Sequence, residues 1–197
     1  MPPFSVLHVC MGNICRSPMA ERLLVAALRE AWGDKADNLL YSHSAGTGGW
    51  HEGEAINPPA ARELRRRGVD DAGFVARKLL GEHVDSSDLV LTATADQWQY
   101  VVALRPDAAE HTFVLGEFGR LLTGVRAAGL PPAEPTPDAV YHRASAIVGI
   151  ADRIRGGRPP RPEDDLDDPW GRNATFFVRI ADQIAAGLRP FVTLLTG

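Results

Sequence analysis

A chain of 197 residues carries 21 basic and 25 acidic side chains, a formal net charge of −4, with 45% hydrophobic and 23% charged residues. These are globular values that argue against wholesale disorder, and the acidic balance offers no basic footprint for nucleic acid. No apolar run reaches membrane-spanning length, the N-terminus MPPFSVLHVCMGN shows no secretory signal, and two cysteines cannot frame a disulfide scaffold; a cytoplasmic protein with free thiols is expected, with no membrane or nucleic-acid partner.

Phe4 to Cys10 (FSVLHVC) is β-rich and mostly apolar, which predicts a buried strand ended by the glycine-bearing turn Met11 to Arg16. A helix follows, with Ser17 placed as N-cap, Pro18 at the first helical position, and Ala20, Leu23, Leu24, Ala27 and Leu28 on one apolar face. Leu39 to Ser44 reads as a second strand, followed by a glycine-rich loop over Ala45 to Gly53 and a helix over Pro58 to Arg67 closed by Gly68. Asp88 to Thr92 and His111 to Leu115 read as strands, each followed by a helix, Gln97 to Leu104 and Glu117 to Leu122; a last helix runs from about Asn173 to Leu195. Strands alternating with helices predict an α/β fold, a four-stranded parallel sheet with helices on both faces and a site at the C-terminal strand ends.

One segment departs from this rhythm. Seven of the fifteen prolines lie between Pro131 and Pro162, around a helix expected over Asp138 to Arg155. Residues 1–197 are read as a single domain, with a Pro-rich surface insertion at about 125–163. The run Glu163, Asp164, Asp165, Asp167 and Asp168 closes the segment, and all but one of these read as solvated.

The chemistry concentrates in Cys10-Met-Gly-Asn-Ile-Cys15-Arg16-Ser17. If the loop curls back, its N–H groups share a hollow that binds a tetrahedral oxyanion, reinforced by the following helix N-terminus. Arg16 adds a bidentate fork, and that field favours the Cys10 thiolate, a nucleophile aimed at phosphorus. Gly12 allows close backbone approach, and Asn13 tolerates a left-handed conformation. Lys35 and Lys78 are the only lysines and neither follows a glycine, so the Gly-Lys phosphate loop of nucleotide triphosphatases is excluded. Alone, a cysteine at a strand end is usually a small buried hydrophobe; the arginine, serine, glycine and asparagine in a strand–loop–helix context reverse that.

VLHVCMGNICRSPMAERLL resembles the N-terminal signature of the low-molecular-weight protein tyrosine phosphatases. SAGTGGWHEG with Pro58 and Pro59 resembles the family's tryptophan-bearing loop, and Ala76-Arg77 and Ser87-Asp88-Leu89-Val90 resemble the middle of its pattern. Thr112 to Leu115 with Glu117-Phe118, and Asp168-Pro169-Trp170-Gly171, resemble its fourth strand and its late Asp-Pro-aromatic loop. The resemblance implies a metal-independent phosphatase without cofactor, acting on phosphotyrosine proteins or small aryl phosphates through a phosphocysteine intermediate. Cys10 would attack, Arg16 and the loop from Met11, Gly12, Asn13, Ile14 and Cys15 to Ser17 would hold the phosphate, and Asp168 would serve as acid and then base. Ser17 would support the thiolate, Ser44 would back Asn13, and Trp50 and Trp170 would wall an aromatic ring. Asp167 is the alternative acid. Trp50, between glycines, has nothing local to pack on, and His51 reads as structural. Cys15 is either a packing residue or a redox guard able to pair with Cys10.

Phe74 stands where many members carry histidine, Trp98 has no counterpart, and the 125–163 segment runs into the acid loop, where it could narrow or extend the cleft. Two rival functions stay open: an arsenate reductase using an external thiol, since no third cysteine exists for an internal relay, and a non-catalytic phosphoprotein-binding module.

Overall fold

The computed structural model describes residues 2–197. Its strands are β1 (Phe4–Cys10), β2 (Leu40–Gly46), β3 (Leu89–Thr92) and β4 (Thr112–Val114), all parallel, in the order β2-β1-β3-β4. The helices are α1 (Arg16–Trp32), α2 (Ala36–Leu39), α3 (Pro58–Arg66), α4 (Gly81–Asp85), α5 (Ala95–Leu104), α6 (Leu115–Leu122), α7 (Pro137–Arg155) and α8 (Ala174–Thr196).

Every residue of β1 is buried, because the two-residue side-chain period feeds two cores. Phe4, Val6 and Cys10 join the larger core with α1, α3, α6, α7 and α8. Leu7 and Val9 face a smaller one with Val84 of α4 and Val101 of α5. Helices therefore cover both faces, as the alternation implied. The short α2 and α4 escape the sequence reading because four or five residues cannot show a helical period.

The expectation of a surface insertion is not met by α7. Val140, Ala144, Ile147, Val148 and Ala151 enter the larger core, each large apolar side chain adding about 1.5–3 kcal/mol by burial. Two buried arginines tie the helix to main-chain oxygens: Arg143 Nε donates to Leu194 O at 2.6 Å, and Arg155 Nη1 to Thr112 O at 2.7 Å. Tyr141 Oη donates to Asp88 Oδ1 at 2.8 Å. Trp98 is likewise explained, since its Nε1–H donates to Thr112 O at 3.0 Å.

Candidate active site

The turn between β1 and α1 lies at the C-terminal end of a central strand, which places it at the end of the sheet where the strands stop, flanked by β2 and β3. Asn13 is fully buried with φ 56°, the left-handed region, and its amide is used completely. Nδ2 donates to Ser17 Oγ and to Ser44 Oγ, both at 2.9 Å, and Oδ1 accepts from the Arg77 N–H at 2.9 Å. At the end of β2, Gly46 approaches so closely that a Cβ there would lie 2.7 Å from Met11 O and 2.9 Å from Asn13 N. Thr47 and Gly48 N–H donate to Cys10 O and Met11 O at 2.9 Å, and Asn57 N–H to Ile14 O at 2.8 Å. With its carbonyls drawn outward, the loop keeps its amides for the hollow: among the described residues, no N–H from Met11 to Ser17 finds an acceptor. Such a nest at a helix N-terminus suits an oxyanion.

Ser17 does not cap the helix. Helix α1 starts two residues earlier than expected, at Arg16, with Cys15 at the N-cap and no side-chain cap bond. The Ser17 hydroxyl instead sits 3.0 Å from Cys10 Sγ. Cys15 is buried, and burial, the nearby Cys10 and Asp168 push its thiol up to about 12. Both cysteines are free thiols.

Arg16 is 5% exposed, with Nη1 donating to Leu166 O at 3.0 Å and Nη2 3.2 Å from Asp168 Oδ2. Its Nε is buried without a partner. Asp168 is half exposed, and its Oδ1 accepts from the Trp170 N–H at 3.1 Å. Asp167 turns instead to Arg179, at 2.8 Å. The solvated reading fails for Asp164, which is 5% exposed, held by Arg120 at 2.6 Å and accepting from the Arg161 N–H at 3.0 Å. It also fails for Asp165, whose Oδ1 accepts the Ala95 N–H at 2.8 Å, at the start of α5. In both, unpaired amides draw the carboxylate inward.

Cys10, Met11, Gly12, Ile14, Cys15, Arg16, Trp50, Asp168 and Trp170 line one cleft of about 180 Å³, while Asn13, Ser17 and Ser44 lie behind it. No residue of the 125–163 segment lines the cleft, because α7 is drawn into the core instead. Trp50 is 73% exposed, yet it does have a local partner: its ring lies over Gly48, where a Cβ would fall 1.8 Å from it.

His51 was expected to be structural. It also lines the cleft, its ring 5.2 Å from that of Trp170 and its Nδ1 3.0 Å from Glu54 Oε2. The available signal was its place beside Trp50 with Glu54 three residues on. Arg77, besides its amide bond to Asn13, donates from Nε to Ser44 O at 2.9 Å and lies 2.6 Å from His43 Nδ1. Phe74 packs half-buried against the larger core.

Residues 5–128 match the profile of the low molecular weight phosphotyrosine protein phosphatase family. The low molecular weight protein-tyrosine-phosphatase YfkJ of Bacillus subtilis is 39% identical over 93 residues, which span 47% of this chain and 57% of that protein. The crystal structure of the Erwinia amylovora tyrosine phosphatase AmsI aligns over 98% of this chain and 93% of its own, with TM-score 0.67 and 21% identity. The YwlE arginine phosphatase of Geobacillus stearothermophilus aligns over 97% and 92%, with TM-score 0.64 and 22% identity. These two likenesses concern the fold alone. Asp168 and Trp170 lie outside the matched segment, whereas the whole loop from Cys10 to Ser17 lies within it. By that loop, the sheet that carries it and the match over 5–128, the chain belongs to the low molecular weight phosphotyrosine protein phosphatase family.

Proposed function

We propose that this protein is a phosphatase that hydrolyses phosphotyrosine or other aryl phosphate monoesters through a phosphocysteine intermediate on Cys10. The observation that carries the reading is a hollow of unpaired amides from Met11 to Ser17 around Cys10, with the buried, unpartnered Nε of Arg16. Unpaired donors of this kind are costly in a folded protein, and an oxyanion satisfies them together.

In this reading the Cys10 thiolate attacks phosphorus in line, the S–P bond forms and the P–O bond to the leaving group breaks. Asp168, beside Arg16 at the cleft, gives its proton to the departing oxygen. It then takes a proton from the water that cleaves the S–P bond, releasing phosphate and the thiolate. The loop amides and Arg16 stabilise the equatorial oxygens in both steps. Ser17 donates to the sulfur, Asn13 and Ser44 hold the loop, and Trp50, Trp170 and Ile14 offer apolar walls suited to an aryl group. We read the whole chain as one domain, the 125–163 segment included, because α7 shares the larger core.

Steady-state hydrolysis of para-nitrophenyl phosphate, a phosphotyrosine peptide and a phosphoarginine peptide tests this, without metal and with or without vanadate. Metal-free turnover, blocked by vanadate and favouring the aryl esters, is expected. Preference for phosphoarginine would overturn the substrate class. No turnover with phosphate still bound would overturn the enzyme in favour of a binding module.

A further inference from the structure

Helix α1 carries a carboxylate that the proposed chemistry does not use. Glu21 Oε2 lies 2.6 Å from Ser44 Oγ, which donates to it. A hydroxyl has one proton, so Ser44 can only accept from Asn13 Nδ2. The other Nδ2 proton goes to Ser17 Oγ, which occupies Ser17 as an acceptor and leaves its own proton for Cys10 Sγ, 3.0 Å away. The Arg77 N–H on Oδ1 fixes which end of the Asn13 amide is which. The bonds thus have one sense throughout: Asn13 gives one proton to Ser17, which gives its own to the sulfur, and the other to Ser44, which gives its own to Glu21.

We propose that Glu21 is a positioning residue: by demanding the Ser44 proton it fixes the Asn13 amide from behind and keeps the Ser17 hydroxyl directed at Cys10. This rests on the phosphatase reading for its consequence in turnover, but not for its geometry. Burial raises the Glu21 carboxyl above the usual range, while the Ser44 bond, Arg22 and Arg77 counter that and favour the ionised form. Phe74 and Arg77 border Glu21 in an open cleft of about 280 Å³ on this side of the loop. Glu21 lies within the signature-like stretch VLHVCMGNICRSPMAERLL, but its partner Ser44 does not, and its role depends on the fold bringing β2 against α1.

The test is the rate at which iodoacetamide alkylates Cys10 across pH 5 to 9, mapped by peptide mass spectrometry in wild type, Glu21→Ala, Glu21→Gln and Ser44→Ala. Cys15, buried and with its thiol pushed up to about 12, stays unmodified in that range. Glu21→Ala is expected to slow alkylation about tenfold at pH 6 and hardly at pH 9, as misdirection of the one Ser17 bond that favours the thiolate implies. Glu21→Gln, which keeps an oxygen to accept from Ser44, should restore most of the rate. Ser44→Ala should match Glu21→Ala, and the double variant should lose no more than either. An unchanged profile in Glu21→Ala, no rescue by glutamine, or additive losses would each overturn the proposal. Unfolding alone would not produce a pH-selective loss that glutamine reverses. Because alkylation needs no turnover, an inactive wild type would refute the phosphatase reading while leaving this one measurable.

Discussion

Two loops meet at the cleft, and they are built in opposite ways. The loop from Met11 to Ser17 buries Asn13, Ile14, Cys15 and Arg16 and is fixed from behind by β2, Asn57 and Arg77. The loop from Asp167 to Arg172 exposes Asp168 and Trp170 and meets the first through the Arg16–Asp168 pair, while Trp170 lies against His51 of the loop after β2. The difference follows the chemistry each would perform. Groups that stabilise transition-state charge gain most when they are fixed before the substrate arrives. A group that protonates a leaving oxygen must admit and release that leaving group, which favours the exposed, weakly held side.

Substitutions in the two loops should therefore differ in size and kind. Cys10→Ser is expected to lower turnover by roughly 10⁴-fold or more while phosphate still binds by calorimetry; a variant with wild-type rates would remove the nucleophile from the account. Arg16→Lys should cost about 10³-fold in kcat/KM, because one ammonium cannot donate to Leu166 O and present a planar fork. The buried half should also be sensitive to acid. Burial, with His43 nearby, holds His8 at about 3, and burial with Arg77 and His83 holds His43 at about 4. Both stay neutral in the folded protein where the unfolded chain binds protons. Stability is therefore full above about pH 6.5 and falls by a few kcal/mol between there and pH 4, which urea unfolding at both values will read.

The exposed loop should give smaller and more selective effects. Asp168→Asn is expected to slow phenyl phosphate about 10²-fold and para-nitrophenyl phosphate under tenfold, because a good leaving group needs little protonation. Asp167→Asn, facing Arg179, should alter neither rate. Equal losses on both esters for Asp168→Asn would deny it the acid role. Trp50→Ala should raise KM for aryl esters about threefold with kcat little changed, the signature of lost uniform binding.

The same contrast explains what could be read from the residues. Strand β1, the turn and α1 were legible because their causes are local: an apolar run, a glycine-bearing turn, then Pro18 and an apolar face. Even there, Ser17 looked like a cap, since a serine before a proline carries that signal whether its hydroxyl serves a helix amide or a sulfur. Glu21 and Arg77 were not legible as site residues, because their partners Ser44 and Asn13 meet them across long sequence separations, and His51 offered only its place beside Trp50. The burial of α7 was hidden for a related reason: an apolar stripe with prolines at both ends fits a surface helix as well as one packed beneath α6 and α8.

The most direct test of the account is rapid-quench trapping during turnover of a ³²P-labelled phosphotyrosine peptide, followed by peptide mapping of the enzyme. The account predicts transient label on the peptide containing Cys10, absent in Cys10→Ser and prolonged in Asp168→Asn. Turnover with no enzyme-bound label at any time, or label on another residue, would contradict it.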